Sequence, residues 1–146
     1  MPSGLANFFV KALLNSPLHA ILGGNIAVIT VHGRKTGRAY STPVNVVCEG
    51  DTFTVVSRRS RTWWRNLRGG GAAELRVSGK RLTTQGEVIE GHEEVVEGLL
   101  RYFERNSRYA EYFQVHLTGG GQPERQDIER VARERVIILL RPVVRK

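Results

Sequence analysis

The stretch Val28-Ile29-Thr30-Val31-His32-Gly33-Arg34-Lys35-Thr36-Gly37-Arg38-Ala39-Tyr40-Ser41-Thr42-Pro43-Val44-Asn45-Val46-Val47 decides the fold. Two runs rich in β-branched residues flank a basic turn bracketed by glycines, which is the pattern of a β-hairpin. A tight turn at Glu49-Gly50-Asp51 leads into another strand, Thr52–Ser57, and then into Arg58-Arg59-Ser60-Arg61-Thr62-Trp63-Trp64-Arg65-Asn66-Leu67. Strand signals over Ile26–Val31, Tyr40–Cys48, Thr52–Ser57, Ala73–Val77 and Arg81–Ile89 follow closely on one another. Ser78-Gly79 forms the hairpin connection between the last two.

Helical signals lie around these strands. Over His92–Asn106, Val95, Val96, Leu99, Leu100 and Phe103 share one face, and Glu93, Glu94, Glu97 and Arg101 lie elsewhere. Tyr109–Val115 reads as one or two further helical turns, and Pro123–Arg133 as a helix with proline at its start. Thr62–Arg68 reads as a short helix that Gly69-Gly70-Gly71 ends. The apolar run within Arg135–Arg141 suits a strand covered on both faces. Leu5–Leu14 predicts a helix over about 3–15, and Asn15-Ser16-Pro17 separates it from a shorter one at Leu18–Leu22. About six mostly antiparallel strands with helices at the ends and one crossover point to a small barrel. At 146 residues the chain is expected to be one domain, 1–146.

Charge narrows the function. The chain carries 22 Lys+Arg against 14 Asp+Glu, a net of +8. Between His32 and Arg81 stand eleven basic residues and three acids, so the whole excess falls on that one segment. Such a local field concentrates anions. One cysteine, Cys48, excludes an internal disulfide and cysteine-rich metal sites, and its setting among valines suits a small core residue. The four histidines show no paired metal-ligand spacing, so no metal is assigned. The longest apolar run, Val136–Leu140, is far short of the roughly 20 residues a bilayer requires. No basic residue precedes the apolar N-terminal run as a signal peptide would need. The expected location is therefore cytoplasmic, with a peripheral membrane contact through the N-terminal helix left open.

Gly33-Arg34-Lys35-Thr36-Gly37-Arg38 brings three cations, a hydroxyl and backbone amides together, a combination that can hold a phosphate. The plain alternative is a solvated hairpin turn. Ser41-Thr42-Pro43-Val44-Asn45 breaks a strand with proline, which marks an edge or a bulge where backbone can face a ligand ring. Adjacent Trp63 and Trp64 cannot share a helical face. One should pack inward and the other lie on a ligand or on the basic turn.

Taken together, His32–Arg38, Ser41-Thr42-Pro43-Val44, Gly50-Asp51, Val55-Val56-Ser57 and Trp64-Arg65-Asn66-Leu67 resemble the deazaflavin (F420)-dependent nitroreductase and quinone reductase family. That resemblance implies an α+β fold, the split β-barrel of pyridoxamine-phosphate-oxidase-like flavoproteins. It implies that Gly33, Arg34, Lys35, Thr36 and Arg38 hold the phosphate side of coenzyme F420. Ser41, Thr42, Pro43 and Val44 would lie along the deazaflavin, and Ser57, Arg58, Trp64 and Asn66 would line its other edge. Tyr109 and Tyr112 match tyrosines that face the substrate in relatives, although an aromatic face packed on the barrel reads equally well. The link Arg58–Trp63 is shorter than the glycine-containing loop of those relatives.

The expected activity is hydride transfer from reduced F420 to a small-molecule acceptor, a nitroaromatic, quinone or activated alkene. Two alternatives stay open: an FMN-binding split barrel, and a basic nucleic-acid-binding module suggested by a pI near 10.4. The basic segment alternates like a barrel wall and lacks a recognition helix, so no nucleic-acid partner is expected. Oligomeric state is not legible.

Overall fold

The computed structural model describes residues 25–77 and 79–143. The helices expected over about 3–15 and at Leu18–Leu22 lie outside these residues, as does Ser78. In chain order the elements are β1 (Asn25–His32), β2 (Ala39–Glu49), β3 (Thr52–Arg58), a 3₁₀ helix (Trp63–Leu67), β4 (Gly71–Val77), β5 (Lys80–Ile89), α1 (His92–Arg105), α2 (Arg108–Tyr112), α3 (Arg125–Glu134) and β6 (Arg135–Pro142). The strands close a barrel in the order β1-β2-β3-β6-β5-β4, and every neighbouring pair is antiparallel. The expected six-stranded barrel is therefore present, with β6 brought in between β3 and β5 by the helical crossover.

Period-two alternation turns one face of each strand into the barrel, and the other faces of β2 and β6 toward a second core. Ala27, Ile29 and Val31 of β1, Val46 of β2, Val55 of β3 and Val136, Ile138 and Leu140 of β6 fill the barrel. Val47 and Ile137 point outward into a second core beneath Val95, Val96, Leu99 and Phe103 of α1 and Ile128 and Val131 of α3. The strand Arg135–Pro142 is thus covered on both faces, as its uninterrupted apolar run requires. Gly98 permits the close approach of α1, because a Cβ there would lie 2.5 Å from Ile137 Cδ1.

Trp63 and Trp64 both join the barrel core, at 7% and 2% exposure, together with Leu67. The expectation was one tryptophan packed inward and the other on a ligand or on the basic turn; here both are largely buried. The 3₁₀ helix packs against β1, β4 and β5 at once, so consecutive side chains both find apolar walls. Gly69 and Gly70 then take positive φ, and Gly70 N–H closes on Leu67 O at 3.0 Å. Two local expectations differ. Cys48 is exposed, because it sits at the barrel mouth opposite half-buried Phe53. Pro123 precedes α3 by two residues and bridges to Leu117, leaving Glu124 as the N-cap.

One seam of the barrel opens. β2 pairs with β3 only from Val46↔Val55 to Glu49↔Thr52. Beyond that point Ala39–Asn45 pairs with β1 alone, and Val56–Arg58 with β6 alone. An open strand edge of this kind presents backbone N–H and C=O groups to whatever lies in the gap.

Candidate cofactor site

The parting of β2 and β3 forms a groove of about 210 Å³. Pro43, Val44 and Asn45 form one bank, and Val56, Ser57 and Arg58 the other. Trp63 and Arg61 lie at one end, and Tyr112, Phe113 and Arg135 at the side nearest α2. Arg61 reaches across to Thr42 Oγ1 at 2.9 Å, so a guanidinium bridges the two banks where backbone pairing stops. The short link after β3 is held by Arg59, whose guanidinium donates to Ala132 O and Glu90 O. A larger depression of about 460 Å³ lies beside α1, lined by Thr52, Thr54, Arg101 and Leu139 among others. It contains none of the candidate cofactor-binding or catalytic residues that the sequence singled out.

The basic turn is built as a rigid unit. Gly33 N–H donates to Arg38 O at 2.8 Å, Gly37 N–H to Gly33 O at 2.7 Å, and Arg38 N–H to Thr36 Oγ1 at 3.2 Å. Gly37 takes φ 69°, a conformation that favours glycine. Arg34 does not point outward with its neighbours. Its guanidinium donates to the carbonyls of Asn66, Arg68 and Gly70, and its backbone N–H to Asn66 Oδ1. Asn66 in turn donates to Trp63 O at 3.1 Å. Arg34 and Asn66 therefore fasten the turn to the 3₁₀ helix. Lys35, Thr36 and Arg38 remain exposed at its tip.

The turn and the groove share β2. Pro43 lies four residues beyond Ala39, or about 13 Å at roughly 3.3 Å per strand residue. A long anionic side chain on a ring held in the groove could span that distance.

The other singled-out residues divide clearly. Ser57, 7% exposed, faces the groove, and Ser41 is engaged with Thr30 Oγ1 across β1 at 2.8 Å. Trp64 does not line the groove. Its Nε1 donates to Arg58 O at 3.2 Å, the Arg65 and Arg68 guanidiniums lie over its ring, and Trp63 takes the place expected for it at the groove wall. Tyr109 and Tyr112 part company as well. Tyr109, 3% exposed, packs against Tyr102 in the outer core, whereas Tyr112, 71% exposed, stands at the groove. On a helix of only five residues, positions three apart still diverge enough to separate core from solvent.

The residues that the resemblance singled out did not include Asn45, Arg61, Trp63, Phe113 or Arg135, although Asn45 stood in the broken-strand motif and Trp63 was one of the two tryptophans weighed for a ligand contact. Arg61 and Trp63 stood within the basic aromatic link and were open to inference. Arg135 and Phe113 reach the groove only through the β3–β6 register and the placing of α2. Outside the groove, His116 donates from its backbone N–H, and pairs through Nδ1, to Asp127 Oδ2, both at 2.8 Å. These bonds hold the Asp127 carboxyl below its usual range. Glu124 lies beside them, with the three potential ligand atoms within 4.8 Å of one another. We read this contact as the tie between the 116–124 loop and α3.

With that geometry in place, the family model described as F420H(2)-dependent quinone reductase matches residues 13–118, most of the chain. The chain belongs to that family. Its cofactor is coenzyme F420, and it is an F420H2-dependent reductase. Solved structures agree on the barrel. A pyridoxamine 5′-phosphate oxidase-related, FMN-binding protein from Nostoc punctiforme is 14% identical, with a TM-score of 0.55 over 98% of this chain and 81% of its own. A candidate pyridoxamine 5′-phosphate oxidase from Listeria innocua is 13% identical, with a TM-score of 0.54 over 90% and 94%. An F420-H2 dependent reductase is 21% identical, with a TM-score of 0.50 over 78% and 92%. At these identities the likeness shows the fold, which is that of the split barrels. No curated protein matches the sequence significantly.

One observation of this structure is compatible with a flat heterocycle in the groove. Asn45 lines the groove, and its Oδ1 is buried with no hydrogen-bond partner. A buried acceptor left unpaired costs roughly 1–3 kcal/mol, and a ring N–H lying against β2 would satisfy it.

Proposed function

We propose that the split between β2 and β3 holds the deazaflavin, with the anionic side chain of F420 running along β2 to the basic turn. The orphaned Asn45 Oδ1 at the open seam carries this reading. Lys35, Thr36 and Arg38 bind the phosphate, and Arg34 and Asn66 position the turn by tying it to the 3₁₀ helix. The open edge at Thr42–Val44 and the Ser57–Arg58 bank flank the ring. Bound reduced F420 supplies a hydride to a nitroaromatic, a quinone or an activated alkene. Two electrons and two protons leave the cofactor and its surroundings and arrive on the acceptor, one proton within the hydride. The protein contributes orientation and electrostatics. Tyr112, exposed at the groove, would bind the acceptor or give it a proton; Tyr109, within the core, supports α2.

The test is a titration of the protein with F420 alongside turnover of a quinone and a nitroaromatic. Asn45→Ala should weaken F420 binding by roughly five- to tenfold, the loss of about one hydrogen bond. Unchanged affinity in that variant would remove the ring from this groove.

A further inference from the structure

Two arginines face each other at the groove without an acid between them. In the β3–β6 register Arg58 lies directly opposite Arg135, and like charges so placed repel and destabilise the pair of strands. Both line the groove, whose lining contains no carboxylate. Among the described residues neither has an acidic partner within ion-pair distance. The same motif recurs at Arg76↔Arg81 between β4 and β5, but there Glu74 sits 3.4 Å from Arg81 and answers the charge.

The neighbouring cations are already engaged. Arg59 holds carbonyls, and Arg61 holds Thr42. Arg135 is steadied from below, its guanidinium stacked 4.9 Å over Phe113 beside Tyr112. Burial, and then Arg58, push the Arg135 guanidinium below its ordinary range, against smaller opposing effects of Tyr112 and Glu134. An arriving anion would relieve both.

We propose that Arg135, with Arg58 opposite it, forms a subsite for an anionic substituent on the hydride acceptor, a carboxylate in particular. Acceptors bearing a carboxylate away from the reducible group would then be preferred over their neutral counterparts. This rests on the reading that the split holds F420, since the subsite lies on the α2 side of the groove beside Tyr112. The planar guanidinium suits a carboxylate through paired N–H···O bonds. Hydride and proton go to the acceptor's reducible group, and the carboxylate leaves unchanged.

The test compares 4-nitrobenzoate with its methyl ester, titrated into the protein and followed by tryptophan emission or calorimetry at low ionic strength. Both titrations are run with and without F420. A failure of F420 to bind would sink the cofactor reading while leaving the comparison of acid with ester in force. The acid should bind at least about tenfold more tightly than the ester, a margin of about 1.4 kcal/mol. That preference should fall below about twofold in Arg135→Gln and survive in part in Arg135→Lys. F420 affinity should change by less than about twofold in Arg135→Gln, and its melting temperature serves as the folding control. Equal binding of acid and ester, no binding of the acid, or a preference that survives Arg135→Gln would overturn the proposal. So would a greater loss of F420 than of the acid, since the pair would then serve the cofactor's own anions.

Discussion

The β4–β5–β6 side of the barrel and the β2–β3 seam use the same residues to opposite ends. On the first side, three arginines are answered: Arg68 by Glu90, Arg81 by Glu74 and Arg141 by Glu87, at 2.9, 3.4 and 2.9 Å. At the seam and the turn beside it, Arg58, Arg135, Lys35 and Arg38 have no acidic partner among the described residues. Net charge alone does not separate these regions, since both are rich in arginine. Pairing does. A cation answered by a neighbouring carboxylate shapes the surface, and in the proposed site the unanswered ones beside the open strand edge would draw the ligand.

Arg34 and Lys35, adjacent in sequence, give the sharpest contrast. Arg34→Ala removes charged hydrogen bonds to three carbonyls and should cost about 1.5–3 kcal/mol of stability, read as a fall in Tm. Lys35→Ala should leave Tm near wild type. It should weaken F420 binding several-fold at low salt, with the loss shrinking as salt screens the attraction. If the two variants behave alike, the division between clamp and ligand fails.

The tryptophans give the next contrast. F420 should quench emission strongly in Trp64→Phe, which keeps Trp63 at the groove wall, and less in Trp63→Phe. Equal quenching in both would place the ring elsewhere. With reduced F420 saturating, Tyr112→Phe should lower kcat/KM for the acceptor about two- to tenfold and leave F420 affinity within about twofold. Tyr109→Phe should act on Tm instead, because its ring is core.

On the paired side, Glu90→Gln should cost less than about 1 kcal/mol, as exposed ion pairs do, and leave F420 binding unchanged. The smallest effect expected is at Asp127. Its carboxyl is held low by His116, so its contribution is complete above the unfolded value and is lost as pH falls through the folded one. Asp127→Asn should therefore melt below wild type near neutrality, and the gap should begin to narrow only once pH falls below the usual aspartate value of about 4. A gap that stays constant through acid would deny the tie between loop and helix.

How much of this was legible depended on range. The strands and the main helix could be read locally, because Ile26–Val31 alternates and Val95, Val96, Leu99 and Phe103 fall on one helical face. The turn at Gly33–Arg38 was legible as a basic hairpin. That Arg34 turns back onto the 3₁₀ helix was not, since its three carbonyls lie more than thirty residues away. Which tryptophan reaches the groove was not legible: Trp63 takes the place expected for Trp64, because a helix enclosed by three strands buries faces that a helix lying on a surface would expose. Arg135 reads in sequence as the flank of an apolar strand. Only the register that sets it against Arg58 reveals an unanswered charge.

The most direct test of the central claim is a side-by-side titration of the wild-type protein with F420 and FMN, followed by tryptophan emission at low and high salt. The account predicts that F420 binds at least about tenfold more tightly than FMN at low salt. It also predicts that much of this margin disappears at high salt and in Lys35→Ala. Equal affinity for the two cofactors, or an F420 affinity indifferent to both salt and Lys35, would contradict it.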